Sequence, residues 1–217
     1  NLDGSEGKMC GNAIRCVGKF LYDNGIVQKK EVSIETLSGI KTLELFTKDG
    51  KVSSARVNMG KAEFEPKQIP VTWDKSGKII NQPVTINGQQ YHISCISMGN
   101  PHCVVFCDTI DSLPLPALGP KFENAPLFPE RVNTEFIKVL DKNTLRMRVW
   151  ERGSGETWAC GTGACAAAVA AVENGYCQKG EDILVKLKGG NLTINYTDER
   201  VLMTGNAETV FTGEIEV

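Results

Sequence analysis

The segment Ser154-Gly155-Glu156-Thr157-Trp158-Ala159-Cys160-Gly161-Thr162 leads into a run of small apolar residues from Ala164 to Val172. A cysteine, a glycine and a polar residue before such a run predict a helix over 163–172. The helix is expected to end before Asn174-Gly175, since this pair favours the left-handed backbone that stops helices. Because the run is apolar almost all round, we expect this helix to be buried within a sheet or barrel.

The same pattern occurs near the start of the chain. Gly4-Ser5-Glu6-Gly7-Lys8-Met9-Cys10-Gly11-Asn12 has the same order, Glu-x-x-x-Cys-Gly-polar, and a helix is predicted over 12–22. The matching residues lie 150 positions apart: Glu6 and Glu156, Cys10 and Cys160, Gly11 and Gly161, Asn24 and Asn174, Gly25 and Gly175. Five matches at one offset predict an internal duplication, with a cysteine just before a helix in each half.

Most of the remaining chain reads as short strands. Residues of alternating polarity, separated by turn residues such as Asp49-Gly50 and the cluster around Asn143, predict them. The predicted strands cover 32–36, 41–46, 53–59, 90–97, 103–106, 134–140, 144–150, 183–187, 191–196 and 201–205. The proline-broken stretch 113–120 is expected to be a loop or a short helix. The last segment, 208–217, also alternates and predicts a strand that returns to the first half.

The two repeated cysteines occupy positions that suit acid–base chemistry. Unpaired backbone N–H groups at a helix start favour a thiolate, which lowers the thiol pKa, and they also hold carboxylates. If the halves face each other, both helix starts hold one carboxylate, with Cys10 and Cys160 on either side of its α-carbon. One sulfur then removes the α-proton while the other delivers a proton to the opposite face, which inverts the stereocentre.

Composition narrows the function classes. The chain has 217 residues, of which 41% are hydrophobic and 23% charged, as in soluble globular proteins. A net charge of -2 gives no reason to expect a nucleic-acid partner, and no apolar run is long enough for a membrane span. The first residues show no secretory signal, which favours a cytoplasmic protein with reduced thiols.

The eight cysteines need not form disulfides or a metal site. There is no Cys-x2-Cys pair, and His92 and His102 are the two histidines in the sequence, so no metal site is expected. A disulfide between Cys10 and Cys160 would represent damage or regulation. The other six cysteines are expected to be small core residues: Cys16, Cys95, Cys103, Cys107, Cys165 and Cys177.

Four sequence blocks, taken together, resemble the diaminopimelate epimerase family. The cysteine motifs Asn1-Leu2-Asp3-Gly4-Ser5-Glu6 with 10–16, and 150–163, resemble its two catalytic motifs. Ser97-Met98-Gly99-Asn100-Pro101-His102 and Phe128-Pro129-Glu130-Arg131-Val132-Asn133 fit between them in the family's order. The resemblance implies an isomerase, without cofactor, that interconverts LL- and meso-diaminopimelate in lysine biosynthesis. It also implies a homodimer and an α/β (α+β) fold of two pseudo-symmetric halves, each a mostly antiparallel sheet wrapped around a central helix.

The resemblance also implies roles for individual residues. Cys10 and Cys160 resemble the catalytic acid and base, and His102 resembles a residue that supports a catalytic cysteine. The expected substrate ligands are Gly11, Asn12, Gly161 and Thr162 at the α-carboxylate, Asn1, Asn100, Asn133 and Arg152 at the distal amino-acid end, and Glu151 at a substrate ammonium.

The chemistry of the distal residues fits a second amino-acid head, since arginine binds carboxylates through two hydrogen bonds and glutamate binds ammonium groups. Plainer interpretations stay open at the same positions. Glu151 and Arg152 would also make a surface ion pair, Asn133 a turn cap, and His102 a loop residue. Asn1 lies at the chain end, where residues often fray.

Family members carry some tens of residues before the first cysteine motif. The first half, residues 1–58 with 205–217, is therefore expected to be truncated at its N-terminus, and 59–204 to form the second half. We expect the 217-residue chain alone to be inactive or weakly active, and comparison with a chain carrying a restored N-terminal segment tests this.

Two other functions stay open at this stage. Another two-cysteine racemase or epimerase, of the proline or hydroxyproline type, would use the same scaffold, although such enzymes tend to carry histidine where this chain has Asn12. A thiol-redox or non-catalytic binding protein is the remote alternative, but no Cys-x-x-Cys motif supports it.

Overall fold

The computed structural model describes residues 9–215, which form three helices and twelve strands. The helices are α1 (Gly11–Asp23), α2 (Leu115–Glu123) and α3 (Gly161–Glu173). The strands are β1 (Glu31–Thr36), β2 (Gly39–Lys48), β3 (Lys51–Gly60), β4 (Gln82–Ile86), β5 (Gln89–Ser97), β6 (Pro101–Phe106), β7 (Asn133–Asp141), β8 (Thr144–Glu151), β9 (Gly155–Thr157), β10 (Asp182–Leu187), β11 (Gly190–Tyr196) and β12 (Val201–Asn206). The predicted α/β class, dominated by sheet, is confirmed.

Both helices of the predicted duplication are confirmed, and their ends match in detail. Each begins directly after its cysteine and runs for 13 residues. The side-chain amides of Asn24 and Asn174 donate to the carbonyl oxygens four residues earlier, at 2.9 and 2.7 Å. Gly25 and Gly175 follow with φ of 70° and 79°, a conformation that side chains with a Cβ rarely adopt. Short-range chemistry therefore stops both helices at the same place.

The repeat extends beyond the helices. Three antiparallel strands, β1 to β3, follow α1, and three more, β10 to β12, follow α3 in the same pairing order. The two units join edge to edge through β3 and β12, which pair antiparallel. The remaining strands continue the sheet in the order β10-β8-β7-β6-β5-β4, with parallel pairing at β10–β8 and at β6–β7. One continuous sheet thus carries both repeated helices.

The two helices are covered to different extents. In α3 the ten residues from 161 to 171 other than Thr162 are buried, as the small apolar sequence predicts. Helix α1 packs on β2 and β3 through Ile14 and Gly18, and it leaves Val17 and Phe20 43% and 60% exposed. The main core runs through both repeated units, from Ile14 to Met203. A second core lies between residues 69 and 136 and includes α2.

The predicted strand at the end of the chain is wrong over residues 208–215, which form neither strand nor helix. Its apolar residues Val210 and Phe211 are 90% and 83% exposed. Strand β12, which precedes this segment, is already paired with β11 on one edge and β3 on the other. The segment therefore cannot pair beside β12, although its polar and apolar residues alternate. Residues 216–217 lie outside the described residues. The sequence did not predict β4. The stretch 113–120, expected to be a loop or a short helix, contains the start of α2 despite its prolines.

None of the helices within residues 9–215 is long and apolar enough to cross a bilayer. In the same range, no group of three or more histidine, cysteine, aspartate or glutamate side chains is placed to hold a metal ion. The eight cysteines all lie in this range and are free thiols.

Candidate active site

A cavity of about 910 Å³ opens where the starts of α1 and α3 meet. Its wall contains ten of the residues that the sequence predicts as functional: Cys10, Gly11, Asn12, Asn100, Asn133, Glu151, Arg152, Cys160, Gly161 and Thr162. His102 lies behind this wall and is fully buried. Asn1 lies outside the described residues. The fold therefore brings together residues that are up to 152 positions apart in sequence.

The two helix starts touch through glycines. A Cβ added to Gly161 would lie 3.4 Å from the Cα of Gly11 and 3.1 Å from the Sδ of Met203. Only residues without a side chain allow the two N-termini to approach this closely. Because both starts point their unpaired N–H groups into one cavity, they form a site suited to a carboxylate.

The two cysteines share a backbone conformation but differ in their surroundings. Their φ and ψ angles are −121° and 114° at Cys10, and −120° and 114° at Cys160. The Cys160 sulfur accepts a hydrogen bond from the Gly163 N–H at 3.4 Å and lies 3.5 Å from Thr162 Oγ1. Cys160 is buried, whereas Cys10 is exposed to the cavity.

The expected lowering of the thiol pKa by the helix start is wrong for Cys160. Burial raises its pKa well above the usual value, and the nearby carboxylates of Glu151 and Glu135 raise it further. The hydrogen bonds from Thr162 and Gly163 oppose this rise but do not overcome it. Cys160 therefore carries its proton at neutral pH and is poised to act as an acid.

A buried cation, Arg15, lies in the first turns of α1. Arg15 donates from Nη1 to the carbonyl oxygen of Gly11 at 2.9 Å and from Nη2 to Asn12 Oδ1 at 3.3 Å. Burial lowers its pKa, while the thiols of Cys16, Cys10 and Cys165 favour the cation. No carboxylate pairs with Arg15 within the described part of the chain. The surroundings of Cys10 are thus positive where those of Cys160 are negative.

The residues expected to bind the distal end surround the loop after β8. Arg152 donates from Nη1 to the Glu130 carbonyl at 3.0 Å, and its other guanidinium N–H groups make no hydrogen bond within residues 9–215. Glu151 accepts a hydrogen bond from the Thr157 hydroxyl. Asn133 accepts from the Arg152 N–H at 3.0 Å and donates to the Pro101 carbonyl at 3.0 Å, so it anchors this loop.

Sequence reasoning missed a buried carboxylate that holds the same loop. Glu123 accepts from the Trp150 indole at 2.7 Å and from the Gly153 N–H at 2.9 Å. Arg131 adds an ion pair at 3.2 Å. These bonds fix the residues on both sides of Glu151 and Arg152. The available signal in the sequence was a glutamate at the end of a mostly apolar helix, which is weak without knowledge of its partners.

Glu135 is the other residue that sequence reasoning missed. It lies within strand β7 and is fully buried, and its Oε1 lies 2.7 Å from His102 Nδ1. His102 Nε2 lies 3.0 Å from Asn100 Oδ1, and Asn100 Nδ2 donates to Thr162 Oγ1 at 3.3 Å. His102 is thus no loop residue, since it links a buried acid to the cavity wall.

Comparison with known proteins identifies the scaffold. The family model for diaminopimelate epimerase matches residues 1–65 and 94–210, which include both cysteine motifs and the cavity wall around them. The chain belongs to the diaminopimelate epimerase family. A diaminopimelate epimerase of Desulfovibrio desulfuricans is 53% identical over 221 residues, which cover 99% of this chain and 76% of that protein. One of Acetivibrio thermocellus is 51% identical over 219 residues, covering 100% and 77%.

Solved structures of other racemases share the fold of this diaminopimelate epimerase family member. A probable proline racemase from Agrobacterium radiobacter matches 97% of this chain and 68% of its own, with a TM-score of 0.68 and 14% identity. A hydroxyproline epimerase from Agrobacterium vitis matches 92% and 64%, with a TM-score of 0.66 and 15% identity. At this identity the likeness concerns the fold alone.

Proposed function

We propose that this protein interconverts LL- and meso-diaminopimelate by a two-base mechanism, without a cofactor, in lysine biosynthesis. The observation that carries the proposal is the meeting of two cysteine-capped helix starts in one cavity, beside an arginine and a glutamate. The family membership and the names of the relatives support the substrate.

The proposed reaction begins with the substrate α-carboxylate held by N–H groups at Gly11, Asn12, Gly161 and Thr162. Their positive ends stabilise the negative charge that develops when the α-proton leaves. Cys160, which holds its proton, is proposed to deliver it to one face of the α-carbon. The role of base then falls to Cys10 on the opposite face, and the two roles exchange when the reaction runs backwards.

The distal end of the substrate carries a second carboxylate and a second ammonium group. We assign the distal carboxylate to Arg152, whose guanidinium N–H groups form a fork, and a substrate ammonium to Glu151. Asn1, Asn100 and Asn133 are proposed to bind the same end. His102 is proposed to support the site from behind, through Asn100. A substrate without a second amino-acid group, such as proline, leaves Arg152 without a carboxylate to bind.

A panel of amino acids tests the substrate. The full-length protein is expected to invert LL-diaminopimelate about a hundredfold faster than proline or hydroxyproline, because these lack the second carboxylate and hydrogen bonds to a charged group contribute about 1.5–3 kcal/mol each. Solvent deuterium entering the α-position, followed by mass spectrometry, measures both reactions on one scale. Faster exchange with proline or hydroxyproline would favour the alternative activity that the fold likeness suggests.

Glu123→Gln is expected to weaken substrate binding. The amide has one acceptor oxygen, so one of the two donors, the Trp150 indole or the Gly153 N–H, faces an NH₂ group and the loop loosens. We expect KM to rise about tenfold, with kcat changed less, as for the loss of a hydrogen bond to a charged group. Steady-state kinetics with diaminopimelate measure both constants.

The matched control for this variant is Glu31→Gln, an exposed carboxylate on β1, which should leave both constants unchanged. An unaltered KM in a folded Glu123→Gln protein would show that Glu123 does not hold the binding loop.

The division into a first half of residues 1–58 with 205–217 and a second half of 59–204 stays a prediction. The repeated order of one helix and three strands supports two related units. We also propose a cytoplasmic homodimer. The eight free thiols support a reducing compartment, and the dimer rests on the family resemblance.

A further inference from the structure

Glu135 is a carboxyl group in the interior that the proposed chemistry does not use. Neither it nor His102 is exposed to solvent, and the two side chains meet at 2.7 Å. Its second oxygen, Oε2, has no hydrogen-bond partner within residues 9–215. Burial raises its pKa, although His102 opposes this. A carboxyl group in this position holds its proton to a higher pH than one at the surface.

A chain of hydrogen bonds leads from this group to a catalytic sulfur. It runs from Glu135 through His102, Asn100 and Thr162 to Cys160, with contacts of 2.7, 3.0, 3.3 and 3.5 Å. Asn100 and Thr162 line the cavity. The chain therefore connects a buried acid on β7 with the start of α3.

Which group donates in each of these hydrogen bonds depends on whether Glu135 carries a proton. An amide oxygen only accepts, so His102 carries a hydrogen on Nε2 where it faces Asn100 Oδ1. A second proton must then lie between His102 Nδ1 and Glu135. In this arrangement Asn100 donates to Thr162, whose own hydroxyl hydrogen stays free for the sulfur of Cys160. This supplies a donor to Cys160 when that sulfur is a thiolate.

Loss of the proton from Glu135 reverses the direction of the hydrogen bonds between Glu135 and Cys160. The single remaining hydrogen of His102 then moves to Nδ1 to meet the carboxylate, and Nε2 becomes an acceptor. Asn100 turns its amide to donate to Nε2, and its oxygen takes the hydroxyl hydrogen of Thr162. The sulfur loses this donor and faces a new negative charge, and both changes favour the thiol.

We propose that Glu135 is a positioning residue that decides whether Cys160 keeps its proton. A protonated Glu135 accompanies a Cys160 thiolate, and an ionised Glu135 accompanies a thiol, so the buried site holds one negative charge in either case. The titratable groups that face Glu135 are His102 and Cys103 on β6, Glu151 at the end of β8, and Cys160 before α3. The kinetic consequence rests on the proposed function, whereas the thiol chemistry does not.

Glu135→Gln tests the proposal, because the amide keeps the shape and the hydrogen bond but cannot ionise. The rate of Cys160 carboxamidomethylation by iodoacetamide, followed by peptide mass spectrometry over pH, reports its thiolate fraction. We expect the midpoint for Cys160 to fall by about one pH unit or more, with that of Cys10 unchanged in the same molecules. The alkaline limb of the kcat/KM profile should move down with it.

The matched control is Glu173→Gln, a partly buried carboxylate at the far end of α3 that pairs with Lys78 and Tyr196. It should leave the Cys160 midpoint in place. An unchanged midpoint in a folded Glu135→Gln protein overturns the inference. A shifted midpoint in a protein without epimerase activity would instead contradict the proposed function alone.

A measurement on the unaltered protein covers the case in which Glu135→Gln does not fold. The chain has two histidines, so ¹⁵N-histidine spectra resolve His102, with His92 as the exposed reference. We expect the hydrogen of His102 to move from Nε2 to Nδ1 as rising pH removes the proton of Glu135, and Cys160 alkylation to stay slow until a higher pH. A His102 hydrogen that stays on one ring nitrogen over the whole pH range in which the protein is folded overturns the inference.

Discussion

Cys10→Ala and Cys160→Ala are each expected to lower epimerisation by at least about a thousandfold, because general acid–base groups contribute up to about 10⁴-fold and inversion needs one on each face. With a single sulfur left, the α-proton can be removed from one side only, and solvent returns a proton to that same side. The variants should therefore keep slow exchange of the α-proton without inversion.

Each variant should exchange the α-proton of one isomer only, and the isomer should differ between the two variants. Deuterium from solvent is expected to enter LL-diaminopimelate in one variant and the meso isomer in the other, as measured by NMR and chiral chromatography. Cys16→Ala is the matched control, since Cys16 is also an exposed cysteine of α1 but does not line the cavity. Epimerisation within tenfold of the unaltered protein in either single variant would contradict the two-base mechanism.

Gly119→Ala is expected to destabilise the protein by about 2 kcal/mol, the scale of an overpacked core. A Cβ at this position would overlap the Cγ, Cδ2 and Cε3 atoms of the Trp150 ring. Alanine in place of glycine favours a helix by about 1 kcal/mol, and we expect the steric clash to outweigh this gain. Because Trp150 precedes the loop with Glu151 and Arg152, its displacement should also raise KM.

Thermal unfolding measures the first effect, and a melting temperature lower by several degrees is expected. Gly213→Ala is the matched control, because its added Cβ would contact no atom of residues 9–215 within 4 Å. Repeating Gly119→Ala in a Trp150→Leu background should remove most of its cost. An equal cost in both backgrounds would mean that Trp150 is not the source of the clash.

The two cysteines share a backbone conformation but differ in the charged side chains around them. The backbone of the two helix starts is the same within 1° in φ, so their dipoles favour the two thiolates alike. The difference comes from side chains elsewhere in the chain, since Glu135 and Glu151 lie near Cys160 and Arg15 lies near Cys10. Two identical groups therefore lie in different electrostatic environments, as suits a reaction in which one acts as acid and the other as base.

The residues of the site differ in how well sequence could predict them. The ten cavity residues belong to motifs whose spacing is visible in the chain, and the fold brings them together as expected. Glu123 and Glu135 belong to no motif. Their importance depends on Trp150, Gly153 and His102, which reach them only through the packing of α2 and the parallel pairing of β6 with β7.

Sequence by itself determined the duplication, the start and end of both repeated helices, and the two cysteines that precede them. These features depend on residues within a few positions of each other, where capping, turn preference and side-chain size act directly. Tertiary structure alone decided that Cys160 is buried among carboxylates, that residues 208–215 form no strand, and that hydrogen bonds link Glu135 to the sulfur of Cys160. Burial and charge at a distance depend on which segments pack together, and local pattern does not carry that information.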